Sequence, residues 1–254
     1  MLTLSNFFKK KPVKETILLC LNSIMAGILL SIAAAVYLIC YKQLDNKIVG
    51  SLLFSFGLLI IILFEFKLFT GMVANLPYTP VKKYWTLPVC FIFNTVGTFL
   101  GAICFKSTGL AVNSTDTGLI ELCKAVVEGK IANTPGQMFF SAVLCGICIT
   151  IAVLGCRITK EKSLSGSLVI VLAIMVFILC GFEHSVANMY YIFMAGNWSG
   201  NVWMLILMGI LGNIVGGSII PLYKLYEGKK YVSAPTVATT PAEANNKAST
   251  EKPE

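Results

Sequence analysis

The chain has 254 residues, of which 56% are hydrophobic and only 13% charged, with a mean hydropathy of +0.80. A soluble domain carries about 25% charged residues, so a water-exposed globular fold is excluded and an integral membrane protein is expected. The formal net charge of +8 does not imply nucleic acid: the basic residues lie in short stretches between apolar runs, where they set topology or meet anionic lipid headgroups.

The apolar runs suffice for about six crossings of ~20 residues each. Lys9, Lys10, Lys11 and Lys14 precede the first, residues 17–41. It passes through a signal-peptidase-like Ala33-Ala34-Ala35 but exceeds the ~7–15 residues of a signal-peptide core, so a retained span is expected. The second, residues 49–78, is interrupted at Glu65-Phe66-Lys67, and the third covers residues 85–105. A polar segment follows over residues 106–134, too long for a tight turn. The fourth opens at Asn133-Thr134-Pro135, a cap with proline in the first turn, and ends near Cys156. The fifth, residues 164–194, is interrupted at residues 181–185, and the sixth covers residues 202–226. Three parts result: a cytoplasmic N-terminal segment (1–14), a six-helix transmembrane domain (15–227) and a tail (228–254) rich in Ala, Thr, Pro, Asn, Lys and Glu, expected to be disordered.

Lys9–Lys11, Lys14, Lys82, Lys83, Arg157, Lys160, Lys162, Lys224, Lys229 and Lys230 fall on one side of these crossings; Lys42, Lys47, Lys106, Lys124 and Lys130 fall on the other. The richer side is expected to be cytoplasmic, with both termini inside the plasma (inner) membrane. Tyr84, Trp85, Trp198 and Trp203 sit near span ends, as an aromatic belt would. Of nine cysteines all but Cys123 lie in or beside apolar runs, a packing pattern rather than a disulfide framework. Cys145-Gly146-Ile147-Cys148 lacks the histidine partners of a metal site.

The chain also matches itself. Phe69-Thr70-Gly71-Met72-Val73-Ala74-Asn75 aligns without gaps on Phe182-Glu183-His184-Ser185-Val186-Ala187-Asn188, and Asn94-Thr95-Val96-Gly97 on Asn213-Ile214-Val215-Gly216. Two matches in the same order, with three crossings in each half, predict an inverted repeat whose two broken helices meet near the midplane.

The centre of the pattern is Gly181-Phe182-Glu183-His184-Ser185-Val186-Ala187-Asn188-Met189, which holds a carboxylate and the only histidine. An ionisable group at that depth costs about 2.5–3.5 kcal/mol, which marks a functional site, and broken backbone there must be buried or line a cavity. Half-helix ends bring partial positive charge, suited to a small anion. Lys67 and Lys130 add full charge on the approach. Glu183 is a candidate pore residue with Thr70 and His184 and is expected to accept backbone N–H bonds at its break; Asn94 and Asn213 are expected to bond the loosened backbone at the two interruptions. Thr70 is the expected partner of His184.

This central stretch is close to the signature of the formate/nitrite transporter family, and the chain resembles that family over about residues 11–226. Leu68-Phe69-Thr70-Gly71 resembles the family's loop in the second span and Gly212-Asn213-Ile214-Val215-Gly216-Gly217 its last span. Lys130, sixteen residues before Gly146, keeps the family's spacing between a vestibule lysine and a pore asparagine. The resemblance implies a homopentamer with one aquaporin-like pore per protomer, passing weak monoacids such as formate, nitrite, hydrosulfide, acetate or lactate. By position, Phe54, Leu58, Leu68, Phe69, Ile149 and Phe177 match two apolar constrictions, and Thr70 and His184 the polar pair between them. Gly146 stands where the family carries asparagine, and Lys67 where it carries an acid. A pore hydrogen bond is therefore expected to be missing at Gly146.

The expected function is movement of small monovalent anions, with protons, across the lipid bilayer, without a cofactor. The alternative is a channel for neutral solutes such as glycerol. An enzyme would need a nucleophile–base pair or a metal cluster, and one histidine without a carboxylate cluster argues against it.

Overall fold

A bilayer leaves an apolar chain few choices, because every backbone N–H and C=O must find its partner within the segment. The computed structural model describes residues 11–112, 118–159 and 164–228, and every regular element among the described residues is helical. In chain order these are α1 (Lys11–Leu44), α2 (Lys47–Leu63), α3 (Phe69–Val73), two single 3₁₀ turns (Leu76–Tyr78 and Val81–Lys83), α4 (Thr86–Lys106), α5 (Leu119–Ile131), α6 (Pro135–Ile158), α7 (Leu164–Leu179), α8 (Ser185–Ala195) and α9 (Gly200–Tyr226). The expected disordered tail lies outside the described residues apart from Gly228, and so do most of residues 1–14.

Four helical stretches, Val13–Leu44, Val81–Lys106, Pro135–Ile158 and Gly200–Tyr226, are long and apolar enough to cross a membrane. The apolar helices α2 and α7 are shorter, 17 and 16 residues. At 1.5 Å per residue each covers about 25 Å, less than the ~30 Å hydrocarbon core. A short helix follows each one, α3 after α2 and α8 after α7.

Local chemistry explains the boundaries. Asn46 caps α2 by accepting from the N–H groups of Ile48 and Val49 at 2.9 and 3.1 Å. Thr134 and Gln137 form a reciprocal capping box at the start of α6, with Pro135 in its first turn. Gly196, at φ 70°, ends α8. The polar segment 106–134 contains an element that composition hid. Leu119, Cys123 and Val127 of α5 are buried, spaced four apart, while Glu121, Lys124 and Glu128 face outward. This stripe packs α5 onto α8.

The two halves of the chain make matching contacts. α2 and α7 end in the same Schellman turn: Phe66 N–H donates to Ile61 O and Glu65 N–H to Ile62 O, as Phe182 N–H does to Phe177 O and Gly181 N–H to Ile178 O, all at 2.9–3.1 Å. The left-handed residue is Gly181 (φ 68°) in one turn and Glu65 (φ 57°) in the other. These bonds pair Phe66 with Phe182 and Lys67 with Glu183. By these contacts the residues in matching places lie three positions away from those of the ungapped sequence match, which set Phe69 on Phe182.

The second match, from Asn94 and Asn213, agrees with the contacts. α1 crosses α4 at Gly27, and α6 crosses α9 at Gly146. A Cβ at Gly27 would strike Asn94 O and Thr98 N; one at Gly146 would meet Asn213 O at 2.7 Å and Gly217 N at 2.6 Å. Backbone approaches this close need glycine.

Candidate functional site

Between α2 and α3, and between α7 and α8, a few residues leave the helical ladder, and their backbone groups need other partners. Asn94 of α4 and Asn213 of α9 supply them in the same way. Asn94 Oδ1 accepts from Phe69 N–H at 2.8 Å and its Nδ2 donates to Lys67 O at 2.8 Å. Asn213 Oδ1 accepts from Ser185 N–H at 2.9 Å and its Nδ2 donates to Glu183 O at 2.9 Å. Each Nδ2 also reaches a carbonyl 71 residues earlier, Ser23 O for Asn94 and Ala142 O for Asn213. Both side chains are fully buried. Cys90 adds bonds to Lys67 O and Asn94 in the first half only.

His184 and Thr70 meet at the centre, with Nε2 and Oγ1 3.0 Å apart and both residues about 1% exposed. His184 is also the N-cap of α8, its Nδ1 accepting from Ala187 N–H at 3.1 Å. A nitrogen that accepts from a backbone N–H carries no proton. The ring proton therefore sits on Nε2 and is donated to Thr70, which leaves the Thr70 hydroxyl hydrogen for another acceptor. A charged imidazolium would break the cap and oppose the positive end of α8.

Apolar side chains wall this pair. Phe177 stacks on the His184 ring, centroids 5.7 Å apart, and meets Phe54 edge-on at 5.7 Å. Leu58, Leu68 and Ile149 are buried and line a cavity of about 510 Å³. Phe69 is buried too but packs edge-on against Phe91 of α4 at 5.1 Å. The six apolar residues expected at constrictions thus fall into a phenylalanine pair beside His184, a cavity-lining trio and Phe69 turned to α4.

The charged residues are arranged differently from expectation. The Glu183 carboxylate does not take backbone N–H bonds: it accepts from Lys130 Nζ of α5 at 2.6 Å and from Asn188 Nδ2 at 2.8 Å. Glu183 is buried in this ion pair, 2% exposed, and the Lys130 side chain is 16% exposed. Lys130, expected as a charge on the approach, is neutralised by this partner. Lys67 lines the cavity, together with Glu15, Glu65, Lys83 and Arg157. Gly146 does not face an open path at all. It lies in the α6–α9 crossing, so no pore hydrogen bond is lost there.

Sequence reasoning missed three supports. Ser141 Oγ accepts from Glu183 N–H at 3.2 Å, Arg157 donates to Asn75 Oδ1, and Tyr78 OH donates to Pro221 O at 3.0 Å. The last two tie the segment after α3 to α6 and α9. Nothing in the local sequence marks them.

Apolar helices of these lengths around a buried polar pair define a helical membrane protein with an internal site. The family model for the formate/nitrite transporters matches residues 3–226, and the chain belongs to that family; it is an integral membrane transport protein. It is 29% identical over 197 residues to a probable formate transporter of Methanothermobacter thermautotrophicus, covering 68% of this chain and 72% of that one. It is also 29% identical over 156 residues to the formate channel FocA of Haemophilus influenzae, covering 58% and 53%. A solved pentameric formate channel with formate bound shares the fold, with a TM-score of 0.70 and 23% identity, over 87% of this chain and 100% of that one.

Proposed function

We propose that this protein moves small monovalent weak acids across the plasma (inner) membrane: formate, nitrite, hydrosulfide or short monocarboxylates. In this reading the chain crosses six times as two three-helix halves of opposite orientation. The interruptions after α2 and α7 lie at mid-membrane, both termini are cytoplasmic, and five copies assemble with one pathway each. The matching Schellman turns and asparagine bonds of the two halves support the repeat. The relative described as a pentameric channel supports the assembly.

The observation that carries the reading is the neutral Thr70–His184 pair set among buried apolar residues. An anion arriving through the cavity meets Leu58, Leu68 and Ile149, where a bare charge would lose its water without compensation, at a cost of many kcal/mol. The neutral acid does not meet that barrier. Once past the apolar ring it finds the Thr70 hydroxyl, free to donate to a carbonyl or nitroso oxygen. His184 orients that hydroxyl through its Nε2–H. With its other nitrogen held by the α8 cap, His184 acts as a fixed donor, and the transported proton comes from bulk water.

The test is uptake of labelled formate beside labelled glycerol by proteoliposomes, from about pH 5 to 8. Formate uptake should fall with rising pH in step with the neutral-acid fraction. Glycerol flux without formate flux would overturn the reading in favour of a neutral-solute channel.

A further inference from the structure

Helices α1 and α2 run antiparallel, with Gly57 of α2 against Leu29 and Ala33 of α1 and Gly50 against Tyr37. The cavity takes Thr16 and Leu19 near the start of α1 and Leu58, Ile61 and Ile62 near the end of α2. The other end of the pair holds a series of aromatic rings. Tyr37 and Tyr41 of α1 stack, with centroids 6.4 Å apart and planes at 12°. Tyr37 meets Phe54 edge-on, with centroids 6.5 Å apart and planes at 85°. Phe54 meets Phe177 in the same way at 5.7 Å, and Phe177 stacks on His184. Five rings therefore run without a break from the end of α1 to the central histidine.

The Phe54 ring is fully buried between two others, Phe177 of α7 and Tyr37 of α1. A ring in such a place keeps its rotamer because both neighbours block the alternatives. Tyr37 is held in turn. It packs over Gly50, where an added Cβ would come within 3.0 Å of its Cδ2. Tyr41 covers it from the next turn of α1, and Lys47 Nζ lies 5.0 Å from the centre of the Tyr41 ring, a cation–π contact. These contacts of Tyr37 are made by its ring, which phenylalanine would retain. A leucine at 37 would leave a gap into which Phe54 can turn.

We infer that Tyr37 is a positioning residue for the transport site: it braces Phe54 against Phe177 and so sets how large an acid passes the ring pair beside His184. The consequence rests on the transport reading, in which those two phenylalanines narrow the pathway. The brace itself stands on the ring contacts.

Uptake of labelled formate and labelled lactate by proteoliposomes is to be compared, because the two acids share a carboxyl group and differ in size. Tyr37→Leu should raise lactate uptake relative to formate about tenfold, and Tyr37→Phe should keep the wild-type ratio. Phe54→Leu should raise the ratio as far, and Tyr37→Leu/Phe54→Leu no further, because one residue acts through the other. Gly50→Ala displaces the Tyr37 ring while leaving the side chains of the site in place, so it should raise the ratio too and carries the test if Tyr37→Leu does not fold. The brace is read apart from transport in protein labelled with fluorophenylalanine. The Phe54 fluorine resonance, assigned by its loss in Phe54→Leu, should narrow in Tyr37→Leu as the ring gains motion and stay broad in Tyr37→Phe. An unchanged line width in Tyr37→Leu, an unchanged acid ratio beside a raised one in Phe54→Leu, or effects that multiply in the double variant would overturn the inference. Narrowing in Tyr37→Leu without uptake of either acid by the wild type would uphold the brace and sink only the transport reading.

Discussion

His184 does two jobs at once, and its chemistry follows from their combination. Capping α8 fixes the proton on Nε2, and Nε2 fixes the Thr70 hydroxyl. His184→Asn keeps a hydrogen-bonding side chain but shortens the reach to Thr70, so uptake should slow. If His184 acts only as cap and donor, as proposed, the pH profile should coincide with that of the wild type after correction for neutral acid. A pH response lost in His184→Asn but present in the wild type would instead show that the ring carries the proton. Thr70→Val, which removes the hydroxyl proposed to donate to the substrate, should slow uptake by a similar factor. Lys130 poses a stability question. Lys130→Ala would strand a buried carboxylate, at a cost of about 3–5 kcal/mol. Thermal unfolding in detergent should show a large loss, with Lys130→Ala/Glu183→Gln recovering much of it. If the double variant is no more stable than the single one, the ion pair is not what compensates Glu183.

At the scale of elements, the interruptions survive because two asparagines replace the missing helical partners. Asn94→Leu or Asn213→Leu should each leave several buried backbone groups unpaired, at about 1–3 kcal/mol per group. Unfolding midpoints well below wild type for both variants are the expected result. Equal stability would mean that the loops find other partners. Gly146→Asn bears on the same packing. A side chain there would drive α6 away from α9, where Asn213 O and Gly217 N lie within 2.7 Å of an added Cβ. Overpacking of this kind costs about 1–3 kcal/mol or more, so yield and melting temperature should drop. Normal stability with altered anion selectivity would place position 146 on the pathway after all.

For the whole molecule, the helices that would meet lipid or other copies leave large apolar side chains exposed. Phe56, Phe140, Leu172 and Trp203 are each 59–67% exposed. A bilayer covers such faces, and so does a second copy. Native mass measurement of detergent-purified protein should find five chains. A stable monomer that retains formate uptake would remove assembly from the mechanism without touching the pathway through each chain.

Much of this was legible in the residues because the signals are local. Long apolar runs demand helices, Thr134-Pro135 starts one, and a lone Glu-His pair inside a run of apolar residues marks a site wherever the chain folds. The membrane class, the central Thr70–His184 pairing and the asparagine contacts follow from that reasoning and from the family signature. Helix α5 was hidden because its buried stripe is only three residues long. Four features belong to tertiary structure alone: the Lys130–Glu183 pair across 53 residues, Gly146 in a helix crossing, the places of Lys67 and Glu183 in matching contacts, and Lys67 on the cavity wall. Each depends on which face of one element meets another distant in sequence. Hydrophobicity along the chain sets how strongly a helix is buried but, in helices apolar on nearly every side, carries almost no information about direction. Direction is decided by close packing at glycines and by the need to pair every buried polar group.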